Sequence, residues 1–195
     1  MATLSEVEKR IILRIFKDLT IRYNSSSISS LIKVTRVGAY KSLKNLEKQS
    51  ILKSEQLGKA FFYELNKNEE YAKKIIEVLL MEEGRAKLRW IDEFKELSKY
   101  TEVLVLFGSI IKNEEKANDI DLLIIMKEEN NKIVSKIIEL KNEMLTRKVH
   151  ILKQTRNDFK SNILKKDKVL ISAISNGIVL SGYEKYVEVM LDVSN

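Results

Sequence analysis

Cysteine and proline are both absent from this chain, and histidine and tryptophan occur once each. Without cysteine there are no disulfides, no thiol catalysis and no Cys-ligated zinc or iron-sulfur centre, and one histidine argues against a zinc site of any other kind. No apolar run approaches the ~18 to 20 residues needed to cross a bilayer, and the N-terminus lacks the apolar core of a signal peptide. A cytoplasmic protein with no membrane contact is therefore expected. The lack of proline, beside abundant Ile, Lys, Glu and Asn, is compositional and carries no functional content. No internal repeat or low-complexity tract is evident. The 195 residues are 44% hydrophobic, which leaves room for two small domains with cores of their own.

Charge is distributed unevenly. Residues 1–66 hold 12 Lys or Arg against 6 Asp or Glu, a net of +6, while residues 67–195 hold 23 against 22, a net of +1. Nearly all of the excess lies in the first third of the chain. That favours a polyanionic partner for this part, since nonspecific nucleic-acid affinity comes mainly from Lys and Arg neutralising phosphates.

The first third reads as helix, helix-turn-helix and hairpin. Ser5 to Leu19 has apolar residues at Val7, Ile11, Ile12, Ile15, Phe16 and Leu19, with Ser5 as N-cap and Glu8 three residues on. After a polar break at Asn24–Ser27, a helix over Ile28–Val34 is expected, then Thr35 as N-cap and a second helix from Arg36 to Leu46. Glu47–Leu52 leads into a strand, Gln56–Lys59 makes a hairpin tip, and Ala60–Leu65 returns. This order resembles the winged helix-turn-helix of bacterial and archaeal transcription regulators, with Ile28, Leu31, Ile32, Val34, Ala39, Leu43 and Leu46 on core positions. The resemblance implies DNA binding. The second helix would lie in the major groove, exposing Arg36, Val37, Tyr40, Lys41 and Lys44, with Thr35 near a phosphate and Lys59 on the wing. Arg36 is the candidate for reading a base. Winged helices also serve as protein-binding modules, and exposed cations can be solvated surface only. A homodimer is expected because such modules usually read two half-sites.

A helical bridge follows. Asn68 to Glu83 shows Tyr71, Ile75, Val78 and Leu79 at helical spacing, Gly84 is expected to bend the chain, and Ala86 to Tyr100 resumes with Leu88, Ile91, Phe94 and Leu97. Trp90 is assigned to core packing. The domains expected are 1–67, a winged helix-turn-helix; 68–85, a helical linker; and 86–195, a mixed α/β domain.

The most informative segment lies in that last domain. A strand over Glu102–Phe107 ends in Gly108-Ser109, and Asp119-Ile120-Asp121 opens a second apolar strand through Ile125. Strand side chains alternate, so Asp119 and Asp121 share a face. Two like charges so close call for a cation, and Mg2+ is typically held by one or two carboxylates plus nucleotide phosphates. A Gly-Ser turn beside it lets the backbone approach a phosphate.

Gly-Ser, a spacer and Asp-x-Asp entering an apolar strand resemble the minimal nucleotidyltransferases of the DNA polymerase beta superfamily. The resemblance implies that Gly108 and Ser109 hold a nucleoside triphosphate and that Asp119 and Asp121 bind Mg2+, with Mn2+ as the alternative. Lys112 matches the basic residue the family places after Gly-Ser. Asn113 stands where a second glycine is usual, and its tolerance of left-handed backbone makes the change minor. The third family carboxylate, on a later strand, has no counterpart: the strand is Lys148–Lys153 and the matching position is His150. His150 could replace the acid as a general base, mark a site that has lost catalysis, or be a structural strand residue.

The remainder fits an α/β (α+β) fold with a mixed sheet and flanking helices. Lys132–Met144 is an amphipathic helix with Ile133, Ile137, Leu140 and Met144 on one face, linking two strands with βαβ character. Asn157–Leu164 and Asp167–Ser175 read as short helices, Gly177–Gly182 as an edge or final strand, and Tyr183–Leu191 as a closing helix. Three functions stay open: nucleotidyl transfer to an acceptor hydroxyl, a DNA-binding regulator whose second domain senses nucleotide, dimerises or binds a partner, and an antitoxin-type protein acting on a small helical toxin, as minimal nucleotidyltransferases commonly do.

Overall fold

The computed structural model describes residues 3–18 and 21–193, which fall into two compact units divided between Leu79 and Leu80. In the first, α1 (Glu6–Lys17) begins at Ser5, whose N–H donates to Glu8 Oε2 at 2.8 Å while its Oγ accepts from Glu8 N at 3.3 Å. Such reciprocal capping contributes about 1 kcal/mol. Ile11, Ile12, Ile15 and Phe16 are buried as their spacing predicts; Leu19 lies outside the described residues.

Helix α2 (Ser25–Ile32) starts earlier than its apolar spacing predicts. Asn24 Oδ1 accepts from Ser26 N at 3.0 Å and from Ser27 N at 2.9 Å, and Ser27 Oγ accepts from Asn24 N at 3.0 Å. The serine run expected as a break is thus the capped first turn of the helix, the one place where serine suits a helix. Helix α3 (Arg36–Lys48) opens at Thr35, whose Oγ1 accepts from Gly38 N at 3.1 Å. Strands β1 (Leu52–Leu57) and β2 (Ala60–Leu65) pair antiparallel across a two-residue turn, Gly58-Lys59. Tyr23 bridges to Tyr63, adding a third short edge.

Ile28, Ile32, Ala39, Leu43 and Leu46 are buried, as a winged helix-turn-helix requires. Leu31 is not: it is 49% exposed. Ile28, Ser29 and Ile32 form the buried face of α2, and at 3.6 residues per turn Leu31 falls about 100° from its centre. Val34, beyond the left-handed cap Lys33, is half-buried.

The boundary between the units falls within α4 (Glu70–Arg85). The helix passes through Gly84 without the expected bend. A Cβ on Gly84 would stand 2.8 Å from the Tyr183 hydroxyl and 2.9 Å from the Val179 carbonyl oxygen, so close approach explains this glycine. The chain then turns at Ala86-Lys87 into α5 (Leu88–Glu93) and a 3-10 turn, Leu97–Lys99, where one continuous helix was expected. Tight bonds from Leu97 N to Phe94 O (3.0 Å) and from Tyr100 N to Leu97 O (2.9 Å) keep Trp90, Phe94 and Leu97 in one cluster without a regular helix. Trp90 is 2% exposed and stacks on Phe94 at 6.1 Å between ring centroids, consistent with its core assignment.

The second unit is built on β3 (Val103–Phe107), β4 (Asp119–Ile125), β5 (Lys148–Gln154) and β6 (Ile178–Ser181), in spatial order β5-β4-β3-β6. β3 runs antiparallel to both β4 and β6. β4 and β5 are parallel and joined by α7 (Asn131–Met144), the βαβ unit expected from the sequence. Leu104, Leu106, Ile120, Leu122, Ile124 and Val149 face a core with Trp90, Phe94 and α7. Strand residues of the other parity, Val103, Val105, Leu123 and Ile125, are equally buried, and on this side β5 contacts α8 (Arg156–Leu164) while β3 contacts α9 (Lys168–Asn176) and α10 (Tyr183–Val193). A sheet covered on both faces leaves only its strand ends for polar chemistry.

Candidate functional site

At one end of this sheet three strands bring their termini into a row. Phe107, the last residue of β3, pairs with Asp121 on β4, and Asp121 pairs with His150 on β5. Asp119, two residues earlier on the same face of β4, pairs with Lys148. Gly108 follows β3 with φ +82 and ψ −156, a region of backbone space essentially limited to glycine. A Cβ there would lie 2.0 Å from Asp121 Oδ2 and 2.9 Å from Asp121 Cγ. The carboxylate of Asp121 thus fills the space a side chain at 108 would need. Exposed Ser109 opens the short α6 (Ser109–Lys112) directly after it. The geometry makes Gly108 and Asp121 one interlocked unit and sets Ser109 next to the acidic end of β4.

Burial pushes the Asp121 carboxyl above its ordinary value; neighbouring His150 partly offsets this and the charge of Asp119 adds to it. His150 Nδ1 is 4.0 Å from Asp121 Oδ1, with 53% of the histidine side chain exposed against 28% of the aspartate. Among the described residues no three or more His, Cys, Asp or Glu side chains gather as a metal cluster. The Asp119/Asp121 pair nevertheless suits Mg2+, which usually takes one or two carboxylates and completes its octahedron with water and phosphate oxygens.

Lys112 is exposed at the end of α6. Asn113 does not adopt the left-handed conformation its identity suggested. It is extended at φ −150, and its Oδ1 accepts from Lys116 N at 3.1 Å. A side-chain bond to the backbone three residues on therefore explains the residue, and no glycine-like freedom is needed.

In the first unit, Thr35, Arg36, Val37, Tyr40 and Lys41 are exposed along α3, and Lys59 at the hairpin tip. Lys44 departs from this set. It is half-buried, its Nζ 2.8 Å from Glu47 Oε2 and 4.8 Å from the centroid of Phe61, and the bond to Glu47 holds its pKa above the ordinary lysine value. It ties α3 to the wing and leaves little charge to offer. Arg36, Lys41 and Lys59 carry no ion pair among the described residues, whereas Lys53 pairs with Glu64 at 2.9 Å and Arg22 with Glu55 at 2.5 Å.

Arg36, Tyr40, Lys59 and Phe61 line a groove of about 360 Å3 together with Asn24 and Ser26 at the start of α2. The sequence alone did not single out Asn24, Ser26 and Phe61 as surface partners; Asn followed by serines is the N-cap pattern that could have placed the first two. A second, polar hollow of about 440 Å3 lies beside Lys153, Asn131, Gln154 and Asp158. Its lysine is already engaged, with Nζ 2.6 Å from Asn131 Oδ1 and 2.5 Å from Ser135 Oγ.

No curated protein matches the chain significantly. Among solved structures it is similar to the adhesin competence repressor AdcR of Streptococcus pyogenes, at 15% identity over 74% of this chain and 84% of that one, with a TM-score of 0.38. It is also similar to a variant of ZitR from Lactococcus lactis, at 15% identity over 74% of this chain and 77% of that one, with a TM-score of 0.36. The family model described as nucleotidyltransferase domain matches residues 89–180, the span that holds Gly108, Ser109, Asp119, Asp121 and His150.

Proposed function

We propose that residues 86–195 bind a Mg2+–nucleoside triphosphate at the Gly108-Ser109 turn and the Asp119/Asp121 pair, and that residues 1–67 bind DNA through α3 and the wing. The observation that carries the first half is the interlock of Gly108 with Asp121, where a side chain would come within 2.0 Å of the carboxylate. Only a backbone stripped of its Cβ allows a phosphate-binding turn and an acidic pair to occupy the same strand end. Asp119 and Asp121 would hold the metal; Ser109 would donate its hydroxyl to a phosphate oxygen and Lys112 would face the remaining phosphate charge. Mg2+, when bound, neutralises the triphosphate and polarises the phosphorus under attack.

The second half rests on Arg36, Lys41 and Lys59, cations without partners among the described residues, on a unit of net charge +6 over residues 1–66. Arg36, near the start of α3, would read a base, and Lys41 and Lys59 would meet phosphates.

His150 decides between binding and transfer. It pairs with Asp121 where the family resemblance puts a third carboxylate, and its half-exposed ring leaves room for an acceptor hydroxyl whose proton it could take. The absence of an acid there favours the second reading, a regulator or antitoxin-type protein in which nucleotide is sensed and the domain binds a partner. A thermal-unfolding series tests the proposal. Saturating ATP or GTP at about 100 times Kd should stabilise the protein by roughly 2.7 kcal/mol in Mg2+ and not in EDTA, and His150→Ala should keep that gain; pyrophosphate released by the wild type and not by His150→Ala, in a separate assay, would assign transfer instead. No metal-dependent gain in the wild type would overturn the nucleotide half of the reading, and a gain lost in His150→Ala would make His150 a binding residue.

A further inference from the structure

Helix α7 carries its charges in the reverse of the order an isolated helix favours. Lys132 and Lys136 sit in its first half and Glu139 and Glu143 in its second, all four exposed or half-exposed, and none has an ion-pair partner among the described residues. Cations near a helix N-terminus and anions near its C-terminus both oppose the macrodipole. Like charges four residues apart, as in Lys132/Lys136 and Glu139/Glu143, also repel each other. Lys141, the basic residue of the last turn, is drawn away to Glu93 at 2.6 Å.

Beside this charged row runs an apolar one. Ile133 is 36% exposed, Leu140 50% and Met144 78%, while Val134, Ile137 and Ile138 bury the adjoining side of α7, opposite the charged row, in the core. Ile133, Ile137, Leu140 and Met144 were expected to share one face; the structure buries only Ile137 of these.

We propose that the exposed side of α7 is the docking surface for a second copy of this chain, whose own α7 lies antiparallel across it about a two-fold axis at the level midway along the helix between residues 137 and 138. Charge complementarity selects this occupant. Lys132 and Glu143 are equally far from that axis, as are Lys136 and Glu139, so each lysine meets a glutamate of the second copy. Leu140 of each copy falls within one turn of the exposed Ile133 of the other, and the two macrodipoles oppose each other. The result is a self-complementary interface with an apolar seam and a charged rim.

Sedimentation equilibrium of the full chain tests this. The wild type should be a dimer. Lys132→Glu with Lys136→Glu, and separately Glu139→Lys with Glu143→Lys, should each weaken the dimer by about tenfold or more, because every rim contact becomes repulsive. Mixing the two charge-reversed proteins should give a heterodimer, and combining all four substitutions in one chain should restore the homodimer. None of the four positions is buried, and circular dichroism checks that each variant folds. A monomeric wild type, a dimer that both reversals leave intact, or a mixture that fails to reassociate would each overturn the proposal; the first would leave the face to a different protein or to the rest of this chain.

Discussion

Gly108→Ala should abolish the proposed Mg-nucleotide binding while leaving the proposed DNA binding in place. Two independent costs meet at this position. The backbone at φ +82, ψ −156 disfavours any side chain by about 1–3 kcal/mol. The new methyl would also lie 2.0 Å from Asp121 Oδ2, 2.9 Å from its Cγ and 3.2 Å from its Cβ, so the whole short side chain is in the way and not its tip alone. The carboxylate must swing away or β4 must shift, and either displaces a proposed metal ligand. Urea unfolding should show a loss of about 2–4 kcal/mol, and calorimetry an affinity for Mg-ATP or Mg-GTP reduced by at least about 100-fold. Unchanged affinity would mean that the interlock is a packing detail remote from the ligand.

Arg36→Glu combined with Lys41→Glu should weaken duplex DNA binding on all sequences and flatten its salt dependence. Every cation–phosphate pair removed lowers the slope of log K against log salt by about 0.9, so a change near 1 to 2 is expected, with affinity falling about 10- to 100-fold at roughly 0.1 M salt. Lys44→Ala should do far less, because Lys44 already holds Glu47 at 2.8 Å and lies over Phe61. Fluorescence anisotropy on labelled duplexes across a salt series measures both. Equal affinity for the double variant and the wild type would assign the basic face to protein partners.

What was legible in the sequence was whatever local chemistry determines. Ser5 with Glu8, and Thr35 ahead of Arg36, announced helix starts because capping acts over three residues. Alternation across Asp119–Ile125 placed the two aspartates on one face because strand period is fixed by covalent geometry. Departures came where a distant contact overrides a local signal. Gly84 looks like a helix breaker until Tyr183 and Val179 come close to it. Leu31 matches a core pattern by residue type, yet the short α2 has room for one buried face only. Lys44 looks like a free cation until Glu47 and Phe61 claim it. The serines after Asn24 suggest a turn by their own preference, although the asparagine cap commits the segment to helix. In the candidate site, Gly108, Ser109 and the Asp pair were readable as a motif, but the alignment of Phe107, Asp121 and His150 across three strands depends on register, which no local pattern specifies.

The central claim is that Asp119 and Asp121 hold a metal for nucleotide bound at Gly108-Ser109. Isothermal titration of ATP and of GTP into the wild type and into Asp119→Asn, Asp121→Asn, each in Mg2+ and in EDTA, tests it most directly. Saturable binding of at least one nucleotide to the wild type in Mg2+ is expected, absent in EDTA and absent in the folded variant. Binding that survives EDTA or the double substitution, or no binding by the wild type to either nucleotide, would contradict it.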